Sequence, residues 1–269
     1  MKLTFYKAQG IGNDFVIIDL DGQEVNLKAK DYRLLADRHF GIGADQIILI
    51  SADHGNSVRF INADGSEAEM CGNGIRCAAA YLWEIKGRPE EPLKIDTMAG
   101  VKLVSRQDGL IQVDMGKPVL EGKEIPVRAE GQVRDYPLEV GGETYRITAV
   151  SMGNPHCVVF GPENALNMSE LGPLFEVHPF FPNRTNLEYV TLVNENCLKV
   201  EVWERGTGIT LACGTGACAS VVAACLNGLT GSRVKVDLPG GSLHIEWNRQ
   251  SDRILLAGPA EIVYKGKIK

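Results

Sequence analysis

Cys71-Gly72-Asn73-Gly74-Ile75-Arg76-Cys77-Ala78-Ala79-Ala80-Tyr81-Leu82-Trp83 and Cys213-Gly214-Thr215-Gly216-Ala217-Cys218-Ala219-Ser220-Val221-Val222-Ala223-Ala224-Cys225-Leu226 are two versions of one phrase: a cysteine, a glycine-framed turn and an alanine-rich apolar run. Each run reads as a helix that is apolar almost all round, and such a helix cannot lie on a surface with one face wet. Each is therefore expected to be enclosed by strands, with its cysteine at the helix start. A thiol there sits beside N–H groups that have no intrahelical partner and at the positive end of the helix dipole, and both favour the thiolate. Two such thiols facing one pocket would be a proton acceptor and a proton donor, a pairing suited to inversion at an acidic C–H.

The duplication reaches beyond the cysteines. The step along the chain from Cys71 to Cys213 also carries Asn62, after Val58-Arg59-Phe60-Ile61, to Glu204, after Val200-Glu201-Val202-Trp203. Nearly the same step carries Gly12-Asn13-Asp14-Phe15-Val16 to Gly153-Asn154-Pro155-His156-Cys157. The period is far longer than a solenoid repeat, so two similar lobes with a site between them are expected. The fold class is α+β: two pseudo-symmetric lobes, each a mainly antiparallel, barrel-like β-sheet wrapped around a central buried helix. Residues 1–116 would form the first lobe and 117–258 the second, with 259–269 returning to complete the first lobe's sheet. Short β-rich stretches alternate with turns throughout. Helices are predicted over 31–40 before Gly41, over 73–86 before Gly87 and Pro89, and over 215–227 before Gly228.

With 269 residues, 44% apolar and 23% charged, the chain can bury two cores of ordinary size. A net charge of −6 with no long basic run argues against a nucleic-acid surface, and a small-molecule partner is expected. The opening Met1-Lys2-Leu3-Thr4-Phe5-Tyr6 has no signal-peptide character, and no apolar run is long enough to cross a bilayer, so no membrane partner and a cytoplasmic location are expected. Seven cysteines without a dense framework fit a reducing compartment. Cys77, Cys157, Cys197, Cys218 and Cys225 read as small buried hydrophobes. No metal and no cofactor are expected: five histidines supply no paired ligand motif, and Gly10-Ile11-Gly12-Asn13-Asp14 precedes a strand and lacks the third glycine of a dinucleotide fingerprint.

Inverting a carbon next to a carboxylate means removing a weakly acidic proton from one face and supplying one to the other. Free cysteine titrates near ~8.5, and a helix start lowers that value, so one thiolate opposite one thiol is accessible at neutral pH. The N–H groups of Gly72, Asn73, Gly214 and Thr215 could hold the carboxylate and stabilise charge as it develops. Taken singly, each such turn is equally well a strand-to-helix connection with a packed cysteine.

The stretch from Asn62 through Cys77, with Trp203-Glu204-Arg205-Gly206 and Ala212-Cys213-Gly214-Thr215-Gly216-Ala217-Cys218, resembles the diaminopimelate epimerase family. Gly12-Asn13-Asp14-Phe15, Gly153-Asn154-Pro155-His156 and Thr185-Asn186-Leu187-Glu188 extend the resemblance over nearly the whole chain. It implies interconversion of LL- and meso-2,6-diaminopimelate without pyridoxal phosphate or metal, for lysine and peptidoglycan precursor synthesis, by a homodimer. It implies that Cys71 and Cys213 transfer the protons, assisted by Glu204 and His156. Asn13, Gln46, Asn62, Asn154, Asn186 and Arg205 match the substrate-binding set, together with Gly72, Asn73, Glu204, Gly214 and Thr215. A substrate with two ammonium and two carboxylate groups calls for such a set of amides and one Arg. Taken alone, Glu204 could be a surface carboxylate, His156 a structural histidine and each Asn a turn cap.

Three other readings stay open at this level. A proline racemase or hydroxyproline epimerase shares the two-thiol logic, but such enzymes carry His after the first Cys-Gly, where this chain has Asn73. A binding protein without catalysis and a thiol redox sensor using Cys71 and Cys213 are the others.

Overall fold

Phe15-Val16-Ile17-Ile18 is apolar at four successive positions, the mark of a strand covered on both faces, and all four side chains are buried. The computed structural model describes residues 3–53 and 55–268 and divides into two compact units, Met1–Asp114 with Ala257–Lys269, and Met115–Leu256. In chain order the elements are β1 (Leu3–Gly10), β2 (Asn13–Asp19), α1 (Ala29–Ala36), β3 (Gln46–Ser51), β4 (Ser57–Asn62), β5 (Glu67–Ala68), α2 (Gly72–Glu84), β6 (Leu93–Thr97), β7 (Gly100–Gln107) and β8 (Leu110–Gly116). They continue with β9 (Tyr136–Val140), β10 (Glu143–Ser151), β11 (Pro155–Phe160), α3 (Met168–Glu176), β12 (Asn186–Asn194), β13 (Cys197–Glu204), β14 (Gly208–Thr210), α4 (Gly214–Leu226), β15 (Arg233–Leu238), β16 (Gly241–Asn248), β17 (Arg253–Gly258) and β18 (Glu261–Ile268).

In the first unit the strands pair in the order β18, β1, β2, β3, β4, β6, β7, β8, with β5 also on β4. Only β2 with β3 and β4 with β6 run parallel. In the second unit the order is β9, β10, β11, β12, β13, β15, β16, with β14 on β13, and the parallel pairs are β11 with β12 and β13 with β15. The two sheets thus share one plan: β1–β7 and β10–β16 match strand for strand, each with its parallel steps in the same places. The fold is a mixed α/β one, mainly antiparallel, with few helices.

Each sheet has two faces with different work. On one face of the first sheet, Val16, Ile18, Ile47 and Leu49 pack with Leu35 of α1. The alternate residues face α2, which packs on β1, β2, β3, β4 and β18. All residues of α2 from Gly72 to Trp83 are buried, and α4 is buried from Ala217 to Ala224 among β10, β11, β12, β13, β15 and β16. Full burial of an aliphatic or aromatic side chain is worth about 1.5–3 kcal/mol, so these helices tie the strands around them together.

Two elements depart from the sequence expectation. The helix predicted over 31–40 ends at Ala36, because Asp37 leaves helical geometry and its Oδ1 accepts the N–H groups of His39 and Phe40 at 2.8 and 2.7 Å. Helix α3 was not predicted at all; Gly172 and Pro173 interrupt its sequence signal, yet Met168 and Phe175 anchor it in the second unit's core.

The start of α2 is too tight for a larger residue. A Cβ on Gly74 would lie 2.8 Å from Phe60 Cε1 and 3.1 Å from Phe15 Cε1. Gly74→Ala is therefore expected to lower stability by about 1–3 kcal/mol in chemical denaturation, as overpacking does. Unchanged stability would show that the two rings yield freely.

Candidate active site

The glycine that follows each cysteine by three residues does the same local work in both units. The N–H of Gly74 donates to Cys71 Sγ at 3.4 Å, and that of Gly216 donates to Cys213 Sγ at 3.4 Å. Each cysteine is thereby the N-cap of its helix, with extended backbone, and the first i to i−4 bonds come from Ile75 to Cys71 O and from Ala217 to Cys213 O. The amides of Gly72 and Asn73, and of Gly214 and Thr215, lie outside the helices' own hydrogen-bond ladder, as first-turn amides must. That arrangement follows directly from the Cys-Gly-x-Gly spacing.

In the first unit Cys71 meets two of the predicted side chains. Its thiol donates to Asn13 Oδ1 at 3.8 Å, and Asn73 Nδ2 donates to the same oxygen at 3.2 Å. Asn13 is held in turn by Asp45, whose Oδ2 accepts from Asn13 Nδ2 at 2.8 Å. Asp45 is locked to Asp14 and Arg38: each aspartate accepts the other's backbone N–H, and Arg38 bonds both carboxylates at 2.7 Å. Burial alone would raise the Asp14 carboxyl, but Arg38 and Lys7 outweigh it and hold the group well below the usual carboxylate range. Gln46 and Asn62 face each other across β3 and β4, with Gln46 Nε2 donating to Asn62 Oδ1 at 2.7 Å. Gln46 Oε1 is buried with no hydrogen-bond partner among the described residues.

Beneath the Cys71 turn lies a residue that the sequence reading passed over. Arg76 is fully buried; it donates to Gly72 O at 2.9 Å, to Asn73 Oδ1 at 3.0 Å and to Pro259 O at 3.2 Å, so it fixes the turn itself. A lone arginine inside an otherwise apolar helix was the available signal. Asp45 offered none, since only the folded sheet brings it to Asn13.

The second unit surrounds its cysteine differently. Cys213 is 5% exposed, and its Sγ lies 3.5 Å from Thr215 Oγ1. Burial, then the carboxylates of Glu204 and Glu188, push this thiol well above its ordinary value, and the Thr215 hydroxyl and Gly216 N–H only partly oppose them. Against the expectation that a helix start lowers the thiol, at Cys213 lost hydration and two nearby acidic groups outweigh the hydrogen bonds that favour the thiolate.

The remaining predicted side chains of the second unit form one connected set. His156 is fully buried between Glu188 Oε1, 2.6 Å from Nδ1, and Asn154 Oδ1, 3.1 Å from Nε2. Asn186 donates to Pro155 O at 3.0 Å and accepts the Arg205 N–H at 2.8 Å, so its amide is used to hold the Glu204-Arg205 turn. Glu176 grips the same turn through Gly206 N–H at 3.1 Å and Trp203 Nε1 at 2.7 Å. Glu204 ends β13 and accepts from Thr210 Oγ1 at 2.7 Å, while Arg205 is exposed. All seven cysteines are free thiols, and among the described residues no three His, Cys, Asp or Glu side chains are grouped to hold a metal ion. No helix among the described residues is long and apolar enough to cross a membrane.

The sequence profile of the diaminopimelate epimerase family matches residues 5–121 and 148–263. A diaminopimelate epimerase from Synechocystis sp. is 48% identical over 99% of both chains, and one from Pelotomaculum thermopropionicum is 49% identical over 98% of both. Among solved structures, a phenazine biosynthesis protein of the PhzF family from Bacillus anthracis superposes with a TM-score of 0.67 at 15% identity, over 100% of this chain and 99% of that one. A probable proline racemase from Agrobacterium radiobacter, with bound carbonate, gives 0.69 at 12% identity, over 99% and 93%. At such identities these structures speak for the fold alone.

The Asp14 network carries a pH dependence. A carboxyl held below its unfolded value of about 3.9 adds stability that is fully present above that value and is lost as pH falls through the folded one. Denaturation at pH 5 and at pH 3 is expected to show a large loss for the wild type and a smaller one for Asp14→Asn; equal losses would remove Asp14 from the account.

Proposed function

The chain belongs to the diaminopimelate epimerase family, and we propose from that membership that it interconverts LL- and meso-2,6-diaminopimelate by moving a proton at one α-carbon, without a cofactor. Such a protein is an isomerase. The observation that carries the reading is the repeated helix start, in which two cysteines are fixed by the same Gly N–H to sulfur bond.

In the proposed reaction one cysteine, as thiolate, takes the α-proton while the other, as thiol, gives a proton to the opposite face. The C–H bond breaks, its electron pair spreads onto the carboxylate, and the new C–H bond forms from the second sulfur; the return reaction exchanges the roles. First-turn amides at Gly72, Asn73, Gly214 and Thr215 are suited to bind that carboxylate and to stabilise its growing charge. Cys213, kept protonated by burial and by Glu204, would start as the acid, leaving the first base role to Cys71. Glu204 would face a substrate ammonium and Arg205 a carboxylate, with Asn13, Gln46, Asn62 and Asn154 supplying amides. Asn186 would contribute through Arg205, whose N–H it holds. His156 would act through Asn154.

The same proposal places the product in lysine and peptidoglycan precursor synthesis, following the family. A cytoplasmic location is supported by seven free thiols, which suit a reducing compartment. A homodimer is supported by the half-exposed apolar side chains that β7 and β18 present, Leu103, Val263 and Tyr264 among them.

The direct test gives reduced, chelator-treated protein LL-diaminopimelate and L-proline in parallel. The meso isomer is expected to appear while proline keeps its configuration; racemised proline with untouched diaminopimelate would sink the assignment. Cys71→Ala and Cys213→Ala are each expected to cut turnover by about 10²–10⁴-fold with circular dichroism unchanged, the scale of lost acid–base catalysis. Substantial turnover in either variant would contradict the two-thiol mechanism.

A further inference from the structure

The two sheets match strand for strand, and at one place they differ in kind. Phe15 opposes Gln46 on the parallel pair of the first unit, and His156 opposes Asn186 on the parallel pair of the second. Two residues further along the partner strand stand Ile48 in the first unit and Glu188 in the second, paired with Phe60 and Val202 respectively. All four of Phe15, Ile48, His156 and Glu188 are fully buried. Both pairs lie under a cysteine turn: a Cβ on Gly74 would lie 3.1 Å from Phe15 Cε1, and one on Gly216 would lie 2.6 Å from Glu188 Oε1. An apolar pair therefore fills this place in one unit, and an ionisable pair fills it in the other. The architecture accepts hydrocarbon here, and burying a carboxyl costs stability, so the His156–Glu188 pair answers a need other than packing.

Its hydrogen bonds indicate that need. The two close neighbours of the imidazole, Glu188 Oε1 and Asn154 Oδ1, are acceptors, and the Asn186 NH2 group, 3.5 Å from Nδ1, donates to Pro155 O at 3.0 Å; Nε2 therefore carries a proton toward Asn154, and one further proton is shared between Nδ1 and Glu188. The pair is neutral overall, consistent with burial raising the Glu188 carboxyl and with Glu188 Oε2 having no partner among the described residues. With its oxygen engaged by His156, Asn154 presents its NH2 group, which has no protein acceptor among the described residues.

Resting on the epimerase reading above, we propose that Glu188 is a positioning residue for the reaction: it fixes the tautomer and orientation of His156, and through His156 it aims the Asn154 amide at the substrate. The same carboxyl group lies against the first turn of α4. The first unit needs no counterpart, because Asn13, at the position matching Asn154, is held directly by Asp45 at 2.8 Å.

Three variants test this. Glu188→Gln keeps the volume and can donate its amide N–H to Nδ1, so KM for diaminopimelate is expected to stay within about threefold of wild type, with His156 still protonated at Nε2 in the 15N spectrum. Glu188→Leu removes the partner, and KM is expected to rise about tenfold or more while kcat moves far less. The swap of His156→Phe with Glu188→Ile installs the first unit's pair, and is expected to fold with an undiminished Tm yet show the same KM defect. A Leu variant with wild-type KM, a Gln variant as impaired as Leu, or a swapped protein that fails to fold would each overturn the proposal, the last by making the pair a requirement of folding. Absence of diaminopimelate turnover in the wild type would instead remove the epimerase reading, and the His156 tautomer across the Glu188 variants would then judge the pair by itself.

Discussion

A helix with no wet side has to be surrounded, and that requirement organises each unit. Helices α2 and α4 lie almost entirely out of solvent, so strands must cover them, and the two-faced strands this creates are apolar at successive positions. The end of such a helix that offers free N–H groups is its first turn. There the chain places a cysteine, pinned by the N–H of a glycine that cannot become alanine without striking Phe60 in one unit or Glu188 in the other. Packing and chemistry meet at the same four residues.

From that shared frame the two units diverge electrostatically. Cys71 has a buried arginine beneath its turn and an amide beside its sulfur. Cys213 has carboxylates around it and a histidine–glutamate pair below. A repeat that kept its backbone and exchanged its charges gives its two thiols different surroundings, an asymmetry that a reaction needing one acid and one base can use. The anchoring differs as well: the first unit ties its amide to a surface network of Asp14, Arg38 and Asp45, and the second buries the tie.

The sequence made α2 and α4 legible because each carries its own punctuation, a capping cysteine before and a glycine stop after; both begin one residue earlier than the reading placed them. Helix α3 was illegible because Gly172 and Pro173 erase the helical signal that Phe175 supports only through tertiary packing. Short strands such as β5 and β14 carry too few residues to show a period. The cysteines and amides were readable as a repeated phrase, but their supports were not. Glu188 and Arg76 stand as single charges inside apolar runs, and only burial reveals that they face inward. The rise at Cys213 was hidden because it depends first on burial, and then on Glu204 and Glu188, which other strands bring to it.

The central claim is that each thiol serves one face of the carbon. The decisive measurement is the location of deuterium at low conversion when LL-diaminopimelate reacts in deuterated water. A thiolate that takes the proton can return only that proton, whereas the opposing thiol has already exchanged with solvent. The account predicts a meso product labelled at the inverted carbon while unreacted LL substrate stays unlabelled. Equal labelling of recovered substrate and product would mean that a single exchanging group serves both faces, and would contradict it.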